Sequence, residues 1–127
     1  MYNMNRLEQN LQIQVWQFLQ VALNHKNSFA WATVNESGFG GKKAIILGSI
    51  RKKCGVVAGI PDLFVFSKGQ LIGLELKTIV GTQSDSQKVI EKRIEASGGT
   101  YHLVRSVQEA EEALRADGVD LKVRSLM

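Results

Sequence analysis

The chain has 127 residues, 44% of them hydrophobic, a single proline, and a formal net charge of +4 from 16 basic and 12 acidic side chains. That length suits one domain around one core, and the apolar fraction excludes a disordered or low-complexity chain. No apolar run is long enough for a transmembrane helix, the polar start Met1-Tyr2-Asn3-Met4-Asn5-Arg6 lacks a signal-peptide pattern, and the lone Cys54 can form neither an internal disulfide nor a cysteine zinc site. A cytoplasmic, intracellular and reducing setting is the expectation. The basic excess, with an isoelectric point near 9.4, is compatible with a polyanionic partner.

Leu7, Leu11, Val15, Phe18 or Leu19, and Ala22 recur at helical spacing and predict a first helix over residues 5–23, with Trp16 at the edge of its apolar stripe. Glu8 and Gln12 are neighbours on the polar face. Glu8 reads either as a solvated helix residue or as a carboxylate available to a site. His25 suits the helix C-terminus through the dipole. Residues 28–34 alternate and are rich in aromatic and β-branched types, which predicts a strand. The Gly-rich loop 35–43 ends in Lys42 and Lys43. Loops of this kind bring backbone N–H groups and lysines close to phosphates, although this one matches no nucleotide-binding fingerprint. Residues 44–54 read as a helix capped by Gly55. Its last turn holds Arg51, Lys52 and Lys53, the densest basic cluster in the chain, and Cys54, expected there as a small buried residue.

The next stretch is Gly59-Ile60-Pro61-Asp62-Leu63-Phe64-Val65-Phe66, then Ser67-Lys68-Gly69-Gln70, then Leu71-Ile72-Gly73-Leu74-Glu75-Leu76-Lys77. Two runs of β-formers around a Lys-Gly pair predict a tight hairpin. Closing it at Lys68-Gly69 pairs Phe66 with Leu71 and Phe64 with Gly73, which sets Asp62 across from Glu75. Lys77 shares the face of Glu75, while Leu74 and Leu76 point into a core. The two carboxylates then stand roughly 4.5–5.5 Å apart at Cβ, a destabilising arrangement unless one is protonated or a cation lies between them. A hard divalent cation with oxygen ligands resolves the clash. The same spacing also describes a salt-bridged edge hairpin with no chemistry.

Downstream, Ser84 or Asp85 is a natural N-cap for a helix over 85–96, with Val89, Ile90 and Ile94 inward and Gln87 in its first turn. Ser97-Gly98-Gly99 ends that helix, and residues 100–104, including His102, read as a strand. Ser106 and Glu109 predict a capping box for a last helix over 107–116, with Val107, Ala110, Ala113 and Leu114 inward. Residues 118–127 alternate weakly, as an edge strand or a tail that packs on a partner. The order helix, strand, helix, hairpin, helix, strand, helix fits an α/β fold with a central mixed sheet flanked by helices.

Gly59-Ile60-Pro61-Asp62, Gly73-Leu74-Glu75-Leu76-Lys77, Gly81 with Ser84 and Gln87, Gly98-Gly99, and Val104-Arg105-Ser106 together resemble the VRR-NUC domain, the virus-type replication-repair branch of the PD-(D/E)XK nucleases. The resemblance spans nearly the whole chain as a single domain, residues 1–127. It implies a restriction-endonuclease-like fold and hydrolysis of DNA phosphodiesters dependent on Mg²⁺ or Mn²⁺. Carried over by position, Asp62, Glu75 and the backbone carbonyl of Leu76 are metal ligands, Lys77 is the catalytic lysine, Gln87 completes the motif, and Glu8 corresponds to a first-helix glutamate. Lys42, Lys43, Arg51, Lys52, Lys53 and Arg105 are candidates for phosphate contacts, which position DNA without reading its sequence. No helix is rich in base-reading residues, so selectivity for branched, flapped or nicked DNA is expected, by a homodimer as in the family's minimal chains. The alternative is a non-catalytic DNA-binding or nuclease-accessory module with the same fold.

Overall fold

The computed structural model describes residues 2–33 and 48–125. The loop carrying Lys42 and Lys43, Val34, and the start of the second predicted helix lie outside the described residues. The elements are α1 (Tyr2–Ala22), β1 (Ser28–Ala32), a helical segment α2 over 48–53, β2 (Leu63–Ser67), β3 (Gln70–Leu76), α3 (Asp85–Ala96), β4 (Thr100–Val104) and α4 (Val107–Ala116). The strands form one sheet in the order β1-β2-β3-β4. β1, β2 and β3 are antiparallel neighbours, and β4 joins β3 in parallel. A parallel neighbour needs a crossover, which α3 supplies. The architecture is thus mixed α/β, a four-stranded mixed sheet flanked by helices.

The hairpin closes as its composition requires. Lys68 (φ 48°) and Gly69 (φ 85°) both take positive φ, the backbone of a two-residue type I′ turn. Phe66 faces Leu71 and Phe64 faces Gly73, with the ladder ending at Leu63–Leu74. Period-2 alternation then sorts the sheet's two faces. Leu63, Val65, Ile72, Leu74, Leu76 and Val104 pack with Val15, Leu19 and Leu23 at the C-terminal end of α1 and with Ala110 and Leu114 of α4. The opposite face carries Phe64, Gly73 and Tyr101 and is covered in part by α3 through Ile90 and Ile94. On β1 and β2 that face holds a row of rings, Phe29 stacked on Trp31 (5.1 Å) and Trp31 beside Phe64 (5.5 Å).

Several expectations need correction. Leu7 is 55% exposed, because the stripe of α1 meets the sheet only from Leu11 onward. Val89 is 50% exposed, because α3 turns Ile90 and Ile94 inward and Val89 lies one helical step off that line. Cys54 is exposed rather than buried, in a turn that reverses at Gly55 (φ 98°). The Ser106 cap forms, its hydroxyl accepting from the Glu109 N–H at 3.0 Å, but the Glu109 carboxylate accepts from the N–H of Arg105 instead of closing the box on Ser106. The C-terminal stretch makes one antiparallel bridge, Leu121 to Leu23, and is further held where Glu111 accepts from the Ser125 N–H and from Arg115.

Two glycines let the layers approach. A Cβ on Gly73 would lie 2.7 Å from Cγ of Pro61, so the buried proline ring rests on the bare backbone of β3. Gly59 has φ 88°, and a Cβ there would lie 2.4 Å from the Ser86 carbonyl oxygen in the first turn of α3. Gly69 shares the positive φ but has open space around it. Urea unfolding of Gly69→Ala is therefore expected to show a loss of about 1 kcal/mol from backbone conformation alone. Gly59→Ala is expected to lose about 3 kcal/mol or more, because α3 must move as well.

Candidate active site

The loop before β2 is fixed from three sides. The Pro61 ring lies on Gly73, the Thr33 hydroxyl donates to the Pro61 carbonyl at 2.6 Å, and the Thr33 N–H donates to the Asp62 carbonyl at 3.0 Å. Asp62 sits one residue beyond the end of the ladder, and its Oδ2 reaches across to accept the backbone N–H of Leu76 at 2.8 Å. Glu75 is opposite, in β3, only 3% exposed. Its Oε2 accepts from Nε2 of Gln87 at 2.8 Å and lies 3.8 Å from Nζ of Lys77. Its Oε1 is buried without a hydrogen-bond partner among the described residues. Lys77 follows β3 directly, its N–H donating to the Val104 carbonyl at 3.0 Å.

Gln87 reaches this cluster because of how α3 starts. Ser84 caps the helix, accepting from the Gln87 N–H, while Oε1 of Gln87 accepts from the Ser84 N–H at 2.8 Å. That reciprocal box leaves Nε2 aimed at Glu75. Both ends of the amide are occupied, so Gln87 positions Glu75. The close approach at Gly59 brings this same turn of α3 against the Pro61-Asp62 loop.

The electrostatics follow from the packing. Burial and the neighbouring charge of Asp62 push the Glu75 carboxyl up from its usual range to about 8, against the pull of Lys77; the charge of Glu8 pushes the same way. Glu8, half-buried on α1, is thus within electrostatic reach of the pair. Tyr101, paired with Gly73 across β3 and β4, lies under the site. Burial raises its phenol to about 12, so it stays neutral. Its hydroxyl has no hydrogen-bond partner within the distance and angle of an ordinary bond among the described residues, and the Gln83 amide donates to Glu91 at 2.8 Å.

Asp62, Glu75, Lys77 and Gln87 therefore converge, and Leu76 closes β3 between two of them. Lys52 and Lys53 are exposed on α2, where Arg51 also stands. Arg105 faces inward: its Nη1 donates to the carbonyls of Thr78, Ile79 and Gly81, so that nitrogen braces the turn after Lys77. Tyr101 was not singled out from the sequence. The signal for it was there in the alternation of β4 and in Gly73, the bare position it pairs with, but the parallel register that joins them was not.

The donor set fits a hard divalent cation. A buried carboxylate oxygen with no hydrogen-bond partner among the described residues, two adjacent acids, and a carboxyl whose ionised form is penalised are what such a cation would compensate. Among the described residues no cluster holds three or more His, Cys, Asp or Glu side chains. The protein's share would be two carboxylates and a main-chain carbonyl, which suits an ion such as Mg²⁺ that keeps several waters. Comparison with known protein families, curated proteins and solved structures found no match.

A folded-state pKa raised from 4.5 to about 8 means that the folded protein holds a proton the unfolded chain has lost. This contribution is full below pH 4.5 and is lost as pH rises toward 8. In chelator, the urea stability of the wild type is expected to fall across that window relative to Glu75→Gln, which cannot titrate. Adding Mg²⁺ or Mn²⁺ at pH 8 is expected to restore the wild type and leave Glu75→Gln little changed.

Proposed function

We propose that the chain is a metal-dependent DNA endonuclease of the VRR-NUC type, with the restriction-endonuclease-like arrangement of the PD-(D/E)XK enzymes, acting as a homodimer on branched, flapped or nicked DNA. One observation carries this reading. Two carboxylates meet at the end of a hairpin ladder, where Oε1 of Glu75 is buried with no donor among the described residues, while its Oε2 lies 3.8 Å from Lys77 and is held by the amide of Gln87. A salt-bridged edge hairpin accounts less well for this, because such a pair is ordinarily solvated and Glu75 is not. The sequence of one helix, three antiparallel strands, a crossover helix and a parallel strand supports the fold assignment.

Asp62, Glu75 and the Leu76 carbonyl would hold the ion, which when bound lowers the pKa of a water and neutralises phosphate charge. Lys77 places a positive charge where the attacking oxygen and the oxygens around the crowded phosphorus carry negative charge, and its anchored backbone means little reorganisation is needed. Asp62 keeps its orientation through the Leu76 N–H. Gln87 holds Oε2 of Glu75 and leaves Oε1 available.

The test is cleavage of a labelled four-way junction, a flap and a plain duplex in Mg²⁺, Mn²⁺ or EDTA. Cutting of branched DNA in either metal and none in EDTA is expected, with Asp62→Ala and Lys77→Ala each slowed about 100-fold or more. Undiminished cutting by Asp62→Ala would sink the site, and binding without cleavage in every metal would favour the accessory-module reading. Gln87→Ala is expected to raise the Mg²⁺ concentration for half-maximal rate about tenfold. Its cost in stability should be about 1–3 kcal/mol, because Oε2 of the buried Glu75 loses its donor.

A further inference from the structure

The turn that follows Lys77 is unusual in composition and support. Ile79 is 83% exposed and Val80 74%, the two most exposed large apolar residues among those described. They occupy a closed turn, the Gly81 N–H donating to the Thr78 carbonyl at 3.1 Å. Nη1 of Arg105 draws the carbonyls of Thr78, Ile79 and Gly81 together on one side. Arg105 is itself fixed at the start of α4, its N–H donating to Glu109 at 2.8 Å. Gly81 folds back so closely that a Cβ there would lie 3.3 Å from Cδ of Lys77. The carbonyls are thus held inward and two β-branched side chains, stiff at χ1, are held in solvent beside the lysine.

We propose that Ile79 and Val80 form an apolar wedge that enters the base stack of DNA next to the phosphate held at Asp62, Glu75 and Lys77, and that this wedge selects DNA whose stacking is already interrupted. The proposal rests on the nuclease reading and adds what recognises the branch. Ile79 is two residues from Lys77, so its Cα stands within about 7 Å of that of the lysine. Proteins that kink DNA insert side chains of this kind between base steps, and partial unstacking is the cost. The cost is least where pairing or stacking is already broken, so a wedge beside the cutting site favours junctions, flaps and nicks without any base-specific contact. A rigid turn loses little freedom on binding. A second copy of the chain is the less suitable occupant: the pair exposes on the order of 250 Å², against about 800 Å² per partner in a stable protein interface.

The experiment compares wild type, Ile79→Ser/Val80→Ser and the conservative Ile79→Leu/Val80→Ile on two junctions in Mg²⁺. One is fully paired, and the other carries two unpaired bases at the cut site. The serine variant is expected to cut the paired junction about tenfold more slowly or worse, and the opened junction within about twofold of wild type, with the conservative variant close to wild type on both. In an Asp62→Ala background, 2-aminopurine beside the cut site should brighten on binding, and the serine substitutions should abolish the rise. Equal loss on both junctions, no loss on either, or no brightening overturns the wedge. So does a shift of the serine variant from dimer to monomer in sedimentation, which would make the pair an interface between copies. Metal-dependent cutting by wild type that Asp62→Ala abolishes leaves the nuclease reading standing in each of those cases. A wild type that cuts neither junction defeats that reading and the wedge with it.

Discussion

Two carboxylates are held side by side at the end of a β-ladder, and one of them is almost wholly buried. Nothing else in the described structure is electrostatically as demanding, and much of the local architecture maintains it. The strand register places Glu75 opposite Asp62, and Pro61 and Thr33 prevent the Asp62 loop from swinging away. The N–H of Leu76 and the amide of Gln87 each occupy one oxygen of the pair. Left without a cation, the pair resolves its repulsion by keeping the Glu75 proton. A pair of this kind carries an electrostatic penalty that grows as the second acid ionises.

Helix α3 has three separate tasks, and its first turn carries one of them. As a crossover it lets β4 lie parallel to β3. Its capping box satisfies the helix end and, through the same glutamine, orients Glu75. Its apolar side, Ile90 and Ile94, covers part of the face of the sheet that bears Glu75. Arg105 does similar work at the start of α4, where its guanidinium gathers the turn that follows Lys77. Both ends of the Glu75–Lys77 strand segment are thereby tied to helix starts. Such anchoring holds the segment in one conformation.

The elements of the fold were legible wherever the signal was local. The Lys68-Gly69 turn, the Phe64–Gly73 pairing, the Ser84 and Ser106 caps and the bounds of α3, β4 and α4 all follow from neighbouring residues. Errors arose where burial depended on a distant surface. Leu7 and Val89 have the right spacing but stay half exposed among the described residues, and Cys54 has the character of a core residue in a turn that leaves it exposed. The Glu109 carboxylate had two N–H groups within reach, and tertiary placement of Arg105 selected the one that the capping pattern does not name.

The candidate site divides along the same line. Period 2 along the hairpin and the positive-φ turn were enough to bring Asp62, Glu75 and Lys77 onto one face, because strand geometry leaves no freedom once the register is set. Their environment was not encoded at that range. The depth of Glu75, the unpartnered Oε1, the neutral Tyr101 beneath and the inward turn of Arg105 all depend on which layers touch, and the contacts at Gly59 and Gly73 set how closely. Local sequence determined which groups are present and which way they point. The packing of α3 and β4 against them determined their solvation, and solvation governs whether two adjacent acids both stay ionised at the surface or are buried with one of them holding a proton.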